Sequence, residues 1–115
     1  MDESVIDKAV YAELQETAGS EFAAELMDTF LEEAPRMLAE LRNARAQNHP
    51  ERFRRAAHSL KSNGSTFGAS KLAALARELE LKGLDADPAR DTAALVALEA
   101  EYARAAAVLK RLRHG

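Results

Sequence analysis

Apolar positions recur along this chain at helical rather than strand spacing. Ile6, Val10 and Leu14 fall every fourth residue, which predicts a short helix from about Ser4 to Thr17. Gly19-Ser20 interrupts the pattern, and Ser20 is a residue type that caps a following helix. The second helix then carries Phe22, Leu26, Phe30, Met37, Leu38 and Leu41 on one stripe and reaches about Gln47. Pro35 lies inside it. A proline there removes a backbone hydrogen bond, so a kink or a change of helix is expected near Glu32. Asn48-His49-Pro50 reads as a tight connection, and a third helix opens near Glu51.

Small and polar residues from Ser62 to Ser70 blur the end of that third helix, and the chain turns near Phe67-Gly68-Ala69-Ser70. A fourth helix follows with Leu72, Leu75, Ala76 and Leu79 inward, and Gly83 closes it. Asp87 is a good N-cap and Pro88 suits a first helical position. The last helix presents Leu95, Leu98, Tyr102, Ala105, Leu109 and Leu112, spaced 3, 4, 3, 4, 3, the seam of an antiparallel bundle. The expected fold is therefore all-α: an up-down antiparallel four-helix bundle with a short additional N-terminal helix over one end. At 115 residues it is expected to be a single domain over 1–115.

Composition sharpens this picture by exclusion. Ala, Leu, Glu and Arg dominate, with only 5 Gly and 3 Pro, which favours helices over strands. Hydrophobic residues make up 47% and charged residues 30%, too apolar for a disordered chain. A net charge of −3 lacks the basic excess of a nucleic-acid binder. The absence of cysteine removes disulfides and thiolate metal sites. Met1-Asp2-Glu3-Ser4 is acidic and no long apolar run follows, so neither a signal peptide nor a membrane span is expected, and the compartment expected is cytoplasmic. No second apolar stripe suggests a dimer, so a monomer is expected.

The candidate chemistry lies on the third helix. Drawn at 100° per residue, Ala56, Ala57, Leu60, Gly64 and Phe67 fall within roughly 60° of Phe53 as a core stripe. Arg54, His58, Lys61, Ser62 and Ser65 form a second, polar stripe with His58 near its middle, and Arg55 sits further round. Lys61 at i+3 and Arg54 at i−4 both reach the neighbourhood of the imidazole. A neutral imidazole, whose unperturbed pKa is about 6.5, is a competent nucleophile near neutral pH. Cations beside it attract an anionic phosphoryl group and offset charge in its transition state. Small residues at Ser62 and Ser65 leave room for a partner to close over the ring. No carboxylate stands one turn from His58 on its own helix, so nothing local activates a hydrolytic water and a phosphohistidine is expected to persist. A histidine alone on a helix face is ordinarily just solvated, so position by itself does not assign this role.

The wording of the segment carries more. Ala57-His58-Ser59-Leu60-Lys61-Ser62-Asn63-Gly64-Ser65-Thr66-Phe67-Gly68-Ala69 resembles the signature of histidine phosphotransfer (HPt) domains of two-component phosphorelays. That signature has an apolar residue two places after the histidine, a lysine three after, a run of small residues, then a hydrophobic-glycine pair; Leu60, Lys61, Phe67 and Gly68 fill these positions. Phe30-Leu31-Glu32-Glu33-Ala34-Pro35 and Leu72 to Glu80 resemble the helices on either side, so the likeness covers roughly Ile6 to Leu112. It implies the same bundle, with His58 as phosphoacceptor through its outward ring nitrogen and Lys61 as the residue that meets the phosphoryl group. Arg54, Arg55, Ser62, Ser65, Gly68 and Lys71 would form the docking surface, with Gly68 letting the chain turn or pack closely. Ser62 stands where the family often has glycine, and being small it is expected to permit docking while biasing partner choice.

The resemblance implies a carrier rather than an enzyme, with no ATP site of its own. Its partners would be response-regulator receiver domains and a hybrid histidine kinase, with no nucleic acid and no membrane. No cofactor or metal is expected on this chain, and Mg²⁺ is expected on the partner receiver. Met1 favours a free-standing carrier over an excised module. A kinase dimerisation domain fits less well, because an acidic residue and an early proline usually follow its histidine, whereas Ser59 follows here and the next proline is Pro88. A helical-bundle metal site fails for want of inward Glu-x-x-His pairs; His49 falls in a loop and His114 near the C-terminus. The remaining alternative is a non-phosphorylated adaptor that binds a receiver or kinase domain.

Overall fold

The computed structural model describes residues 5–114 and contains five helices: α1 (Lys8–Ala18), α2 (Ser20–Ala46), α3 (Pro50–Thr66), α4 (Ser70–Lys82) and α5 (Pro88–His114). The four longer helices alternate in direction around one core of Met27, Phe30, Leu41, Phe53, Leu60, Phe67, Leu72, Leu98 and Leu109. The core-facing stripe of α3 and the seam of α5 are placed as their spacing predicts, with Phe53, Ala57, Leu60, Leu95, Leu98 and Leu109 all buried.

The helix ends follow local chemistry. Asp7 caps α1, accepting from the Ala9 amide at 3.1 Å, so the helix begins at Lys8 rather than near Ser4, which itself lies outside the described residues. Gly19, not Ser20, takes the N-cap position of α2, and Ser20 opens the helix without a side-chain cap. Pro50 supplies the first helical residue of α3, where its missing N–H costs nothing. Asp87 accepts from the Ala89 amide at 3.0 Å at the start of α5, as its residue type predicts.

Two expectations for α2 are corrected. Of the kink or change of helix expected near Glu32, the change does not occur, and α2 continues from Ser20 to Ala46 as one element. Proline deprives the Leu31 carbonyl, four residues back, of its helical donor; the Tyr102 hydroxyl donates to that carbonyl instead, at 3.3 Å. Phe22 does not join the inward stripe and is 51% exposed. Ala23 and Met27, both fully buried, carry the stripe at that end, one position round from the larger residues that the sequence draws attention to.

α1 lies across α2 and the end of α3. Its approach depends on Gly68, which has φ +77 and whose absent Cβ would stand 2.5 Å from the Asp7 carbonyl oxygen. The Asp7 amide in turn donates to the Gly68 carbonyl at 2.8 Å. The glycine of the α3–α4 turn is thus the point where the first helix is pinned to the bundle.

Candidate functional site

α3 and α4 form an antiparallel pair about the turn at Gly68-Ala69, with extensive contact between them. Gly64 brings the backbones close: a Cβ there would meet the Ala69 carbonyl and the Ala73 amide at 3.4 Å each. This approach presents the outer edges of both helices as one surface, with His58 on α3 and Glu80 on α4 across from each other.

His58 is exposed over about half its side chain (55%), and its Nδ1 lies 2.6 Å from Glu80 Oε2. Lys61 Nζ lies 2.8 Å from the other oxygen, Glu80 Oε1. One carboxylate therefore serves both residues, each oxygen taking one. The Lys61 ammonium, chiefly, and then the His58 ring hold the Glu80 carboxyl below the usual carboxylate range, against the opposing effect of partial burial. An ionised carboxylate only accepts hydrogen bonds, so Nδ1 carries the proton and donates it to Glu80. Nε2 is then left with its lone pair on the exposed edge of the ring. This is the tautomer a nucleophile at Nε2 requires.

The other candidate residues separate into two groups. Arg54, Arg55, Ser62 and Ser65 are all exposed on the outer face of α3 around His58. Arg54, however, turns back onto Glu51 one turn earlier, leaving Lys61 as the cation joined to the site carboxylate. Gly68 is buried under the start of α1, so its contribution is to the turn and not to an exposed docking face. Lys71 is also displaced from the site. Nine residues before Glu80, it stands on the opposite side of α4 and approaches Glu101 of α5 at 3.9 Å.

Glu80 is the residue that reading α3 alone misses. No acid lies near His58 on its own helix, but the tertiary pairing supplies one. A signal was present, since Ala69 at the turn lies eleven residues from both His58 and Glu80, and an antiparallel hairpin sets such residues opposite each other. The carboxylate engages the Nδ1 edge of the ring and not the Nε2 edge, so it is not placed to activate water at a phosphoryl group on Nε2.

Residues 25–108 match the Hpt domain family model, and the chain belongs to that family. It is a histidine phosphotransfer protein of the two-component phosphorelay class, a phosphocarrier. Among solved structures, it is similar to histidine-containing phosphotransfer protein B (HptB) from Pseudomonas aeruginosa PAO1, with 30% identity, a TM-score of 0.82, and coverage of 95% of this chain and 94% of that one. The HPT domain of a sensor hybrid histidine kinase from Shewanella shares the fold, with 18% identity, a TM-score of 0.73, and coverage of 96% and 95%. No curated protein sequence matches the chain. Among the described residues, no helix is long and apolar enough to cross a membrane.

Proposed function

We propose that His58 is the phosphoacceptor, taking a phosphoryl group on Nε2 from the aspartyl phosphate of one receiver domain and passing it to the aspartate of another. The observation that carries this reading is the Nδ1–Glu80 contact of 2.6 Å beneath an exposed ring. In the first step the Nε2 lone pair forms the N–P bond while the P–O bond to the donor aspartate breaks, its electrons returning to that carboxylate. No proton needs to leave. The ring, still protonated at Nδ1, becomes a phosphorylated imidazolium whose charge the Glu80 carboxylate offsets. A ring that keeps its Nδ1 proton departs as neutral imidazole, so the second step is the reverse of the first with a different aspartate. Lys61 keeps Glu80 ionised and adds positive charge beside the phosphoryl group.

On this reading Mg²⁺ belongs to the receiver, and the chain acts as a single domain and a monomer in the cytoplasm, between receiver domains and a hybrid kinase. The test is incubation with phosphorylated receivers, comparing wild type with His58→Gln for acid-labile, base-stable phosphate. Label on the wild type and none on the variant is expected. Equal label on both moves the acceptor elsewhere, and receiver binding without any label favours the adaptor reading.

A further inference from the structure

Phosphorylation of a ring nitrogen asks four things of its surroundings. A donor must reach the lone pair, the other nitrogen must keep its proton, the imidazolium that forms needs a counter-charge, and the phosphoryl oxygens need positive charge beside them. Side chains of this chain meet all four. The His58 side chain is 55% exposed. Glu80 holds the Nδ1 proton at 2.6 Å and is itself the counter-charge. Lys61 is joined to the other Glu80 oxygen at 2.8 Å. At 100° per residue, Lys61 and Arg54 lie roughly 60° and 40° to one side of His58, and Arg55 roughly 60° to the other. Arg54 keeps its guanidinium on Glu51. Arg55 is 69% exposed with Glu51 no nearer than 3.9 Å, so its charge is available to an anion.

Access matches this chemistry. Helical side chains lean toward the N-terminus, so residues one turn after His58 lean back toward its ring. On the side away from Lys61 that residue is Ser62, small and exposed, and Ser65 is exposed a further turn along. The leaving group asks nothing of the chain. An aspartyl phosphate is a mixed anhydride of a carboxylic acid and phosphoric acid, and its carboxylate departs unprotonated because the parent acid has a pKa of about 3.9. None of the four requirements involves the carbon skeleton behind that carboxylate.

We propose that His58 also accepts a phosphoryl group directly from small acyl phosphates, without a receiver domain. This rests on the reading of His58 as phosphoacceptor and adds a second class of donor. Nε2 forms the N–P bond as the P–O bond to the acyl group breaks. The electron pair leaves with the carboxylate, and Nδ1 keeps its proton on Glu80. Lys61 and Arg55 face the phosphoryl oxygens, which favours attack at phosphorus over attack at the acyl carbon. A docked receiver supplies proximity that a free donor lacks, so the small-molecule route is the slower of the two at equal concentration.

The test incubates the whole chain with acetyl phosphate in the absence of any receiver. EDTA removes Mg²⁺, so that only the chain's own cations offset charge. Intact mass and acid-labile, base-stable phosphate are followed, and peptide mapping locates the modified residue. One phosphoryl group on His58 is expected, formed at least about tenfold faster than on the exposed His49, the internal reference for an unassisted imidazole. His58→Gln is expected to lose this product, and Glu80→Ala to form it about tenfold more slowly with unchanged circular dichroism. Three results overturn this inference alone when a phosphorylated receiver still labels the wild type: no product, equal phosphate on His49 and His58, or an acetyl group on His58 instead. Label from acetyl phosphate on a chain that no receiver labels keeps this inference and removes the receiver from the proposed function. No label from either donor removes both.

Discussion

The two long edges of this bundle are tied by different means. Along α2 and α5 the helices are joined by paired polar groups: Arg42 donates to both oxygens of Glu99 at 2.6 Å, Arg113 reaches Asp28, and Tyr102 bonds Leu31. At one end of that edge Arg45 meets the buried Asp91 at 3.0 Å, and Asp91 also accepts from the Asp85 amide at 3.0 Å, closing the α4–α5 loop onto α2. Along α3 and α4 small residues let the backbones approach, and a single carboxylate, Glu80, is divided between His58 and Lys61. On the first edge each carboxylate is satisfied by a guanidinium, and nothing is left over for chemistry. On the second, the same kind of contact orients a ring and leaves Nε2 free. On the proposed function the difference separates stability from phosphotransfer, and each edge can be perturbed with its own readout.

The largest effect on stability is expected at the α2–α5 edge. Asp91→Ala leaves the largely buried Arg45 without its partner and the Asp85 amide without its acceptor, which costs about 3 kcal/mol. That corresponds to a melting temperature lower by roughly 10 °C by calorimetry, with transfer per folded molecule retained. Gly68→Ala is next, at about 2 kcal/mol or more, because an alanine at φ +77 is strained and its Cβ would meet the Asp7 carbonyl oxygen at 2.5 Å. Gly64→Ala makes the contrast, since its Cβ meets only contacts of 3.4 Å or longer and gains helix propensity, so its melting temperature should change little.

Glu80→Ala breaks the comparison from the other side. It should leave the circular dichroism spectrum intact while slowing phosphotransfer on the order of tenfold, because the Nδ1 proton is no longer fixed. A variant that unfolds, or that transfers at the wild-type rate, removes the distinction drawn between the edges. Tyr102→Phe is a smaller change on the structural edge. It uncovers the Leu31 carbonyl that Pro35 cannot serve and should cost about 1 kcal/mol in denaturant unfolding, with transfer unaffected.

Acid should weaken both edges together. The carboxyls of Glu99, Glu40 and Glu80 are each held below their ordinary value of 4.5, by hydrogen bonds from Arg42, Arg52 and Lys61 respectively. A carboxylate with a lowered folded pKa binds its proton more weakly in the native state, so the unfolded chain takes up protons first. Stability from these groups is present above about pH 4.5 and is lost as the pH falls below it, through the folded values. Thermal melts from neutral pH downward check this, with a melting temperature that drops from about pH 4.5 as the expected result.

Much of the molecule was legible in the chain order of its residues. The 3-4 spacing of Leu95 to Leu112, the core stripe of α3, Gly83 and the Asp87-Pro88 start are local signals, and local geometry obeyed them. The wording from Ala57 to Ala69 pointed to the family, and His58 on the polar stripe of the third helix pointed to the candidate site. Errors arose where a residue's fate depended on a neighbour distant in sequence. Pro35 continues a helix because Tyr102 covers the carbonyl it abandons, 71 residues away. Phe22 is exposed because Ala23, not the larger ring, faces the core.

The amino-acid sequence by itself determined the helices, their inward faces, and an imidazole with a cation one turn away, because periodicity and short-range spacing survive in any helical fold. Only the tertiary structure decided which nitrogen of His58 is free. That choice depends on a carboxylate 22 residues along the chain, carried on another helix and brought to 2.6 Å by the turn at Gly68. A tautomer is set by what the ring touches, and contact between helices is the one property that no periodicity within a helix encodes.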